Sequence, residues 1–366
     1  MTTPITLPDL QDIQKAHRRI EKQVSRTPVV RSPELDQELG CSLWLKCEQL
    51  QPTGAFKLRG ASNAVACLEE RGVSGDVATH SSGNHGAALA WAARAAGRRA
   101  HVVMPENAVA AKIEAVRRYG GEVTLCPPGQ APREAGLAEL VSRGCIPIPP
   151  YDHPDIIAGQ GTAALELLEA APELDILVTP VGGGGLLAGC AIAAQGVKPE
   201  IQVIGAEPAG AADTATSLER GARVTSWEPD TVADGLRALV GISNFAAIEQ
   251  RVRSVLLADD TAIIAAMHLA LETANLRLEP SAAVADQLVV AADSRPPDGH
   301  QRRSQHDDRP VDATDPDAWC HRAVRYWVGG ETRFAARDYR ASRAASGRPT
   351  IEATREERYG AANPSC

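Results

Sequence analysis

Lysine is rare in this sequence, and one of its six lysines has unusual neighbours. Lys57 follows a Pro-Thr-Gly turn in the stretch QPTGAFKLRGASNAV, among small and apolar residues at the start of a predicted helix. Taken alone, the stretch favours an ordinary solvated lysine. A lysine amine in apolar surroundings is also the group that forms Schiff bases with carbonyl compounds. Other motifs have to distinguish these two interpretations.

Four consecutive glycines, Gly182, Gly183, Gly184 and Gly185, join an apolar strand to an apolar helix in VTPVGGGGLLAGCAIAA. Successive glycines let several backbone N–H groups approach an anion, and the helix N-terminus adds partial positive charge. No Lys-Ser/Thr pair follows, so this is not a nucleotide P-loop, and the spacing does not fit a dinucleotide fingerprint. Because four glycines cost backbone entropy, a phosphate-binding loop is favoured over a flexible turn.

A cluster of small polar residues, THSSGNHG, lies where a strand is predicted to end and a helix to begin. It contains Ser81, Ser82, Asn84 and His85. Ligands of open α/β sheets bind at this end of the strands, and helix-start amides and hydroxyls suit a carboxylate. Ordinary N-capping by a serine or by Asn84 is the alternative, and both can hold at once.

Short apolar runs alternate with amphipathic runs from about residue 75, and each pair predicts a strand followed by a helix that ends at glycine. This alternation is typical of parallel sheets with helices on both faces. Two such series predict an α/β fold with two open parallel-sheet domains and a cleft between them. We assign residues 1–74 and 149–285 to a large domain and residues 75–148 to a small one. Helices near 9–24 and 57–71 flank the first series.

Composition excludes several classes of partner. The net charge of −8 and the lack of a basic stripe argue against nucleic acid, and no apolar run approaches the roughly 20 residues of a membrane helix. The N-terminal residues do not form a signal-peptide pattern, and the eight cysteines contain no CxxC pair. We therefore expect a cytoplasmic enzyme with reduced thiols, no membrane partner and a small-molecule substrate.

The pattern changes after about residue 285. The stretch DSRPPDGHQRRSQHDDRPVDATDPD has almost no apolar residues and no helix or strand period, which is typical of disorder or of a linker. A short helix near 318–328 is compatible with the arginine-rich sequence that follows. We treat residues 286–366 as a divergent segment rather than a domain.

Taken together, six motifs closely resemble the pyridoxal-phosphate enzymes of the serine racemase and threonine/serine dehydratase family, which have fold type II (tryptophan synthase β-like). They are TGAFKLRGASNAV, SSGNHG, IAGQGTAALELLE, PVGGGGLLAG, TVADGL and LEPSAA, in the family's order and spacing over roughly residues 5–285. The resemblance implies that Lys57 forms the Schiff base with the cofactor and removes the substrate α-proton. It also implies that Phe56 packs beside the cofactor ring, that Asn84 binds its phenolic oxygen, and that Gly182–Gly185 bind its phosphate.

The same resemblance implies further contacts. Gly235 would contact the cofactor through its backbone, and Glu279 would lie near the pyridine ring. The implied substrate-binding residues are Ser81, Asn84, His85 and Arg133. A homodimer is also expected from the family.

Ser82 bears on the reaction, because racemases of the family resemble SSGNHG and many threonine dehydratases carry alanine at the second serine. A racemase needs a proton donor on the second face of the cofactor, whereas elimination does not. We expect a dehydratase (ammonia-lyase) that forms a 2-oxo acid and ammonia from L-threonine or L-serine. The alternative is a serine racemase, which forms D-serine from L-serine, with Ser82 as the second catalytic residue beside Lys57.

The stretch GAEPAGAAD indicates a metal site by the same resemblance. Glu207, the Ala211 carbonyl and Asp213 match the divalent-cation ligands of serine racemases, and such oxygen ligands suit Mg²⁺ or Ca²⁺. Two solvated acidic residues on a loop are the alternative.

The chain leaves the family pattern after Glu279. The family continues with a helix, a strand and an SGGN-like turn that binds the pyridine nitrogen, and this turn is missing here. A frame shift near residue 285, or replacement of the gene's end, is our hypothesis, and it predicts a large domain that lacks a strand and a helix and exposes a sheet edge. A catalytically inactive remnant that binds pyridoxal phosphate, or a regulatory protein with an arginine-rich tail, follows as a further alternative.

Overall fold

The computed structural model describes residues 6–39, 41–81 and 83–285 and the backbone of Tyr326–Val328. Contacts group Met1–Thr332 into one compact unit and Arg333–Cys366 into a second, which lies outside the described residues. Strands and helices alternate along the first unit, so the α/β prediction is confirmed. The division of this unit into a large and a small domain stays a prediction.

The described strands form three sheets. The first has the order β5–β4–β3–β6 and the second β7–β8–β9, and both are parallel throughout. In the third, β1 is antiparallel to β2 and β10 is parallel to it. The strands are β1 (Val29–Val30), β2 (Leu45–Cys47), β3 (Val77–His80), β4 (Ala100–Pro105), β5 (Gly121–Cys126), β6 (Ile146–Pro147), β7 (Ile176–Pro180), β8 (Gln202–Pro208), β9 (Ser254–Ala258) and β10 (Tyr326–Val328).

Helices connect and cover these strands. They are α1 (Leu10–Ile20), α2 (Pro33–Leu39), α3 (Lys57–Glu70), α4 (Asn84–Ala95), α5 (Ala110–Arg118), α6 (Gln130–Ser142), α7 (Pro154–Ala170), α8 (Gly185–Val197), α9 (Asp213–Arg220), α10 (Ile242–Arg251) and α11 (Asp260–Ala274). A further helix begins at residue 280, and its described part reaches residue 285.

Glycines end several of the helices, as the sequence predicts. Gly97, Gly120, Gly144 and Gly221 follow α4, α5, α6 and α9, and all four have positive φ. A left-handed residue just past a helix satisfies the last carbonyl groups, and glycine adopts this conformation without steric cost. The chain therefore returns to the next strand or loop at the positions that the pattern indicates.

Helices α7 and α8 form the centre of the largest apolar cluster, together with residues of α1 and α10. Their backbones touch, since a Cβ on Gly161 would lie 2.6 Å from the carbonyl oxygen of Gly189. This close packing fixes α8 and therefore the glycine-rich loop that precedes it.

The divergent segment supplies a strand that the sequence did not predict. The helix expected near 318–328 is wrong for residues 326–328, which form β10 and pair with Leu45–Cys47. The rest of that range lies outside the described residues. In the described part of the chain, every helix is too short or too polar to span a bilayer.

Candidate active site

Lys57 is the first residue of α3, and its side chain is half-buried. Its Nζ donates to the carbonyl of Pro150 at 2.8 Å and lies 5.3 Å from the centre of the Phe56 ring. Burial lowers the pKa of this amine to about 8, although the carboxylate of Glu279 acts to raise it. At pH 7 about a tenth of the amine is neutral, against about one part in three thousand for an ordinary lysine. These are the surroundings of a nucleophilic lysine.

Glu279 interacts with Lys57 from the far end of the described chain. It is only 4% exposed, and its Oε1 accepts a hydrogen bond from Asn84 Nδ2 at 3.1 Å. Burial raises the pKa of Glu279 to about 7, and Asp234 also raises it, while Lys112, Asn84 and Lys57 oppose the shift. The structure thus brings together three residues that the sequence placed at the cofactor. Both ionisable groups change charge near neutral pH, as proton-transfer sites require.

The serine-containing loop between β3 and α4 is held by its own hydroxyl. Ser81 Oγ accepts the backbone N–H groups of Gly83 and Gly86, each at 3.2 Å, so this hydroxyl stabilises the turn that starts α4. The residue at the N-cap position is Gly83 rather than a serine or Asn84, and the predicted substrate contact of Ser81 stays a prediction. Ser82, the predicted second catalytic residue, lies outside the described residues.

His85 is a buried, neutral imidazole. Its Nε2 lies 3.1 Å from the carbonyl oxygen of Ile148, and its Nδ1 has no hydrogen-bond partner among the described residues. Burial lowers the pKa of His85 to about 3, and Lys57 lowers it further. An uncharged ring cannot attract a carboxylate by charge. The predicted substrate contact of His85 would therefore come from its backbone amide in the first turn of α4.

The glycine loop, Gly182–Gly185, connects β7 to α8. Gly184 has a φ of 87°, in the left-handed region. A Cβ on Gly183 would lie 2.4 Å from the ring of Tyr151, and one on Gly185 would lie 2.8 Å from the Tyr151 carbonyl oxygen. Glycine is therefore required at both positions by the packing of Tyr151.

Hydrogen bonds fix the orientation of this loop. The carbonyl of Gly183 accepts from Asn244 Nδ2 at 2.6 Å and from Gly241 N at 3.1 Å. Asp152 in turn accepts the N–H groups of Ile242 and Ser243, which begin α10. The carbonyl side of the loop is thus already satisfied by protein, which is compatible with N–H groups that bind an anion.

Gly235 lies on a short turn, Asp234–Leu236, between α9 and α10. Its N–H donates to Ser281 Oγ at 2.9 Å, and a Cβ there would lie 2.8 Å from the same oxygen. The preceding residue, Asp234, forms an ion pair with Lys112 of α5. The aliphatic part of Lys112 covers Gly83, where a Cβ would lie 2.8 Å from Cδ. The ion pair therefore ties the serine-containing loop to the Gly235 turn.

Arg133 lies near the start of α6, and the structure does not show it in contact with Lys57 or Glu279. Its Nε donates to the Gly129 carbonyl at 3.0 Å, and its Nη2 donates to Gln130 Oε1 at 2.8 Å. It is close enough to Tyr151 to lower the pKa of that hydroxyl, which burial raises. Its predicted substrate role stays a prediction.

The predicted metal ligands are buried: Glu207 lies near the end of β8, Ala211 in the turn after it, and Asp213 at the start of α9. Glu207 accepts the N–H groups of Thr214 and Ala215 at 3.0 and 2.9 Å, and Asp213 accepts that of Val240 at 2.9 Å. Burial raises the pKa of Glu207 to about 8 and that of Asp213 to about 6.

These two carboxyl groups are therefore not the solvated loop residues of the alternative interpretation. Among the described residues, no three His, Cys, Asp or Glu side chains come together as a metal site. A cation there would need the predicted Ala211 carbonyl, and Ala211 is itself buried.

Three residues at the site have no role in the sequence prediction: Lys112, Tyr151 and Ser281. Ser281 lies within the quoted motif LEPSAA, and Lys112 is one of the rare lysines, so both had a weak signal. Tyr151 follows Pro149 and Pro150, a stiff pair, but only the fold brings its ring onto Gly183. Such tertiary contacts have no signature in local sequence.

Several known proteins resemble this chain in sequence and in fold. Residues 20–300 match the family model described as pyridoxal-phosphate dependent enzyme. The chain is 44% identical over 283 residues to the serine racemase of Dictyostelium discoideum, covering 76% of this chain and 87% of that protein. It is 40% identical over 279 residues to the beta-hydroxyaspartate dehydratase of Paracoccus denitrificans, covering 76% and 89%.

A solved structure, that of maize serine racemase, superposes with a TM-score of 0.81 at 37% identity and covers 90% of this chain and 95% of the maize chain. The matched range contains Lys57, the glycine loop and Glu279. The fold type that the motifs imply is confirmed. The chain belongs to the family of pyridoxal-phosphate dependent enzymes.

Proposed function

We propose that this chain is a serine racemase that converts L-serine to D-serine, with β-elimination to a 2-oxo acid and ammonia as a second activity. The Lys57 amine, whose pKa burial lowers to about 8 near Glu279, supplies the base that either reaction needs, and the similarity to serine racemases carries the choice between them. Dehydratase activity is the first expectation from the sequence. The 44% identity to a serine racemase supports the racemase alternative more strongly.

The residues present fit pyridoxal phosphate. Lys57 offers a partly neutral amine to an aldehyde, and the glycine loop leaves no room for a side chain at Gly183. The loop and the N-terminus of α8 would hold the phosphate, and Asn84 and Glu279 would lie beside the ring. When bound, the cofactor supplies an aldehyde carbon for an amine and a ring that accepts electrons from the substrate α-carbon.

Proton transfer is the task of the chain itself. Lys57 Nζ takes the α-proton from one face, which requires its neutral form, and the lowered pKa makes that form accessible near neutral pH. The Pro150 carbonyl accepts a hydrogen bond from this amine and so restricts its orientation. For racemisation, the Ser82 hydroxyl would return a proton to the opposite face.

Ser82→Ala tests this assignment in the full-length chain loaded with pyridoxal phosphate. We expect D-serine formation to fall about a hundredfold or more, as for loss of a proton-transfer group, while 2-oxo acid formation from L-serine stays within about threefold. Chiral separation of serine and a 2-oxo acid assay measure the two products. Ser142→Ala, on the exposed face of α6, is the matched control.

Equal loss of both products in Ser82→Ala would contradict the assignment of Ser82. Wild-type protein that takes up the cofactor at Lys57 but releases neither product would support the inactive remnant instead. Lys57→Ala should lose the visible absorbance of lysine-bound cofactor.

Dehydration of 3-hydroxyaspartate is the second candidate. The relative from Paracoccus denitrificans carries that activity in its name, and Arg133 would supply a cation for a second carboxylate. Comparison of L-serine, L-threonine and 3-hydroxyaspartate as substrates distinguishes the candidates. We also propose a cytoplasmic homodimer that binds Mg²⁺ or Ca²⁺ at Glu207, Ala211 and Asp213.

A further inference from the structure

Four charged side chains are buried together behind the helix that carries Lys57. Lys46, Glu48 and Arg59 have no exposed surface, and Glu166 is 2% exposed. They come from β2, from the turn after it, from α3 and from α7. We refer to these four residues as the buried charge network. Two cations and two carboxylates balance, so the network has no net charge.

Arg59 is the centre of the network. Its Nε and Nη2 donate to the two oxygens of Glu48 at 2.7 and 2.8 Å, and its Nη1 and Nη2 donate to the two oxygens of Glu166 at 2.7 Å each. The guanidinium therefore binds two carboxylates with paired hydrogen bonds. Nη1 also lies 3.2 Å from Thr162 Oγ1. Lysine cannot reproduce this planar arrangement of donors.

The other members of the network are also satisfied. Lys46 Nζ donates to Glu166 Oε2 and to the Thr27 carbonyl, both at 2.6 Å. Burial raises the pKa of Glu166, but Arg59 and Lys46 outweigh this effect and hold the pKa below its ordinary value. The Glu166 carboxylate is therefore held in its charged form, whereas burial lowers the pKa of Lys46.

A network of this kind contributes little to stability, because removing ions from water costs about as much as their attraction returns. Apolar side chains of the same volume often serve stability equally well. What the network does supply is direction, since paired hydrogen bonds hold Arg59 in one orientation. We therefore expect the network to affect the position of α3 more than the free energy of unfolding.

The start of α3 depends on the hydrogen bonds of Arg59. The residue before the helix, Phe56, makes no side-chain capping hydrogen bond. Arg59 lies two residues after Lys57, within the first turn. One residue further, α3 touches α7 directly, since a Cβ on Gly159 would lie 2.6 Å from Gly60 Cα and 2.7 Å from the Arg59 carbonyl oxygen. The first turn is thus held by the Arg59 side chain and by this backbone contact.

We propose that Arg59 is a positioning residue for Lys57: its hydrogen bonds to Glu48 and Glu166 fix the first turn of α3 and thereby the place of the reactive amine. The proposal rests on the role of Lys57 given above. Displacement of a reacting group by about 1 Å can cost about a hundredfold in rate, so modest loosening of this turn has a measurable effect.

Arg59→Lys in the full-length chain is the test, because it keeps the charge and removes the paired geometry. Arg19→Lys is the matched control, since Arg19 also binds a carboxylate of α3 with two hydrogen bonds, at Glu70 on the opposite end of the helix. Two properties of Lys57 are measured by peptide mass spectrometry. One is the pH midpoint of its labelling by an amine-reactive reagent without cofactor, and the other is its rate of pyridoxal phosphate capture, trapped with borohydride.

In Arg59→Lys we expect the labelling midpoint to move up from about 8 toward that of an ordinary lysine, because a displaced amine becomes more hydrated. We expect capture to slow by about tenfold or more, and Arg19→Lys to stay within about twofold of wild type. A folded Arg59→Lys protein with a wild-type midpoint and capture rate would overturn the proposal.

Thr162→Val keeps the test decisive if Arg59→Lys does not fold. It removes one contact of Arg59 and leaves both ion pairs. We therefore expect cofactor capture to slow by about two- to threefold and the labelling midpoint to move up by a smaller amount than in Arg59→Lys. An unchanged midpoint and rate in this variant would equally overturn the proposal. If wild-type Lys57 captures no cofactor at all, the proposed function fails, while the labelling midpoint still tests Arg59.

Discussion

The amine of Lys57 and the carboxyl group of Glu279 influence each other's charge. The carboxylate raises the pKa of Lys57, and the ammonium lowers that of Glu279, while burial opposes the charged form of each. The result is a pair of groups that titrate close to pH 7 and 8. Exposed side chains of the same types would be fully charged throughout this range.

Glu279→Gln should therefore lower the pKa of Lys57 further, because the substitution removes the negative charge that stabilises the ammonium. The expected result is a labelling midpoint for Lys57 below about 8, measured against the other five lysines in the same digest. Glu70→Gln, at the exposed end of α3, is the control. A midpoint that rises or stays unchanged would contradict the coupling.

The same substitution has a consequence for stability. The pKa of Glu279 in the folded protein is about 7, raised from 4.5. This group therefore contributes stability that is fully present below about pH 4.5 and is lost as pH rises through 7. The free energy of unfolding of Glu279→Gln, relative to that of wild type, should therefore be higher at pH 8 than at pH 4. Paired denaturant titrations at the two pH values measure this difference.

At the scale of elements, the glycine loop depends on its neighbour Tyr151. A Cβ on Gly183 would lie 2.4 Å from the ring, closer than any real contact, so Gly183→Ala must displace the loop or the tyrosine. We expect cofactor affinity to fall about tenfold or more, since anion-binding N–H groups are lost from position. Titration of apoprotein with pyridoxal phosphate measures it.

The double variant Gly183→Ala/Tyr151→Ala supplies the control for this prediction. Removal of the ring makes room for the new methyl group, so part of the affinity should return. Additive losses in the double variant would show that the two positions act independently, contrary to the contact in the structure.

Strands and helices in the alternating series were predictable, including the buried β7 and α8, whereas α7 and β6 were not. The predicted strand AHVVMP has the same bounds as β4. The helix predicted over residues 9–24 contains α1, whose sequence is LQDIQKAHRRI. Helix α7 is buried from Ile156 through Leu168, so it shows no amphipathic pattern, although its motif IAGQGTAALELLE was recognised. Strand β6 has only two residues, Ile146 and Pro147, too few for any period.

The candidate site divides in the same way. Lys57 and the glycine loop stand out from sequence because unusual residue types occur in unusual neighbourhoods. The raised pKa of Glu279, the ion pair of Lys112 with Asp234, and the contact of Tyr151 with Gly183 depend on residues far apart in the chain. No window of sequence contains both partners.

At the scale of the whole molecule, the divergent segment is joined to the family fold by β10. The backbone of β10 pairs with β2, so this strand covers one edge of the third sheet at Leu45–Cys47. Deletion of residues 286–366 should expose that edge, lower the melting temperature and promote aggregation. Scanning calorimetry and light scattering measure both, and an unchanged melting temperature would show that the segment adds no stability.

A divalent cation at Glu207 and Asp213 would act on the molecule as a whole. Asp213 accepts a hydrogen bond from the N–H of Val240, whose side chain lies next to Gly184. Because a ligand that binds only the folded state stabilises it, a chelator should lower the melting temperature and Mg²⁺ or Ca²⁺ should restore it. Asp213→Asn should abolish this response, and Asp175→Asn, at an exposed carboxylate, should keep it.

The buried charge network also limits how the sequence can change over evolutionary time. Replacement of one member leaves an uncompensated charge in the interior, at a cost of about 3–5 kcal/mol, whereas replacement of the whole set by apolar residues can be neutral. Lys46, Glu48, Arg59 and Glu166 should therefore be retained or lost as a group among homologues. Proteins in which only one of the four residues has been replaced would be too unstable to persist. We therefore expect these four distant positions to change together.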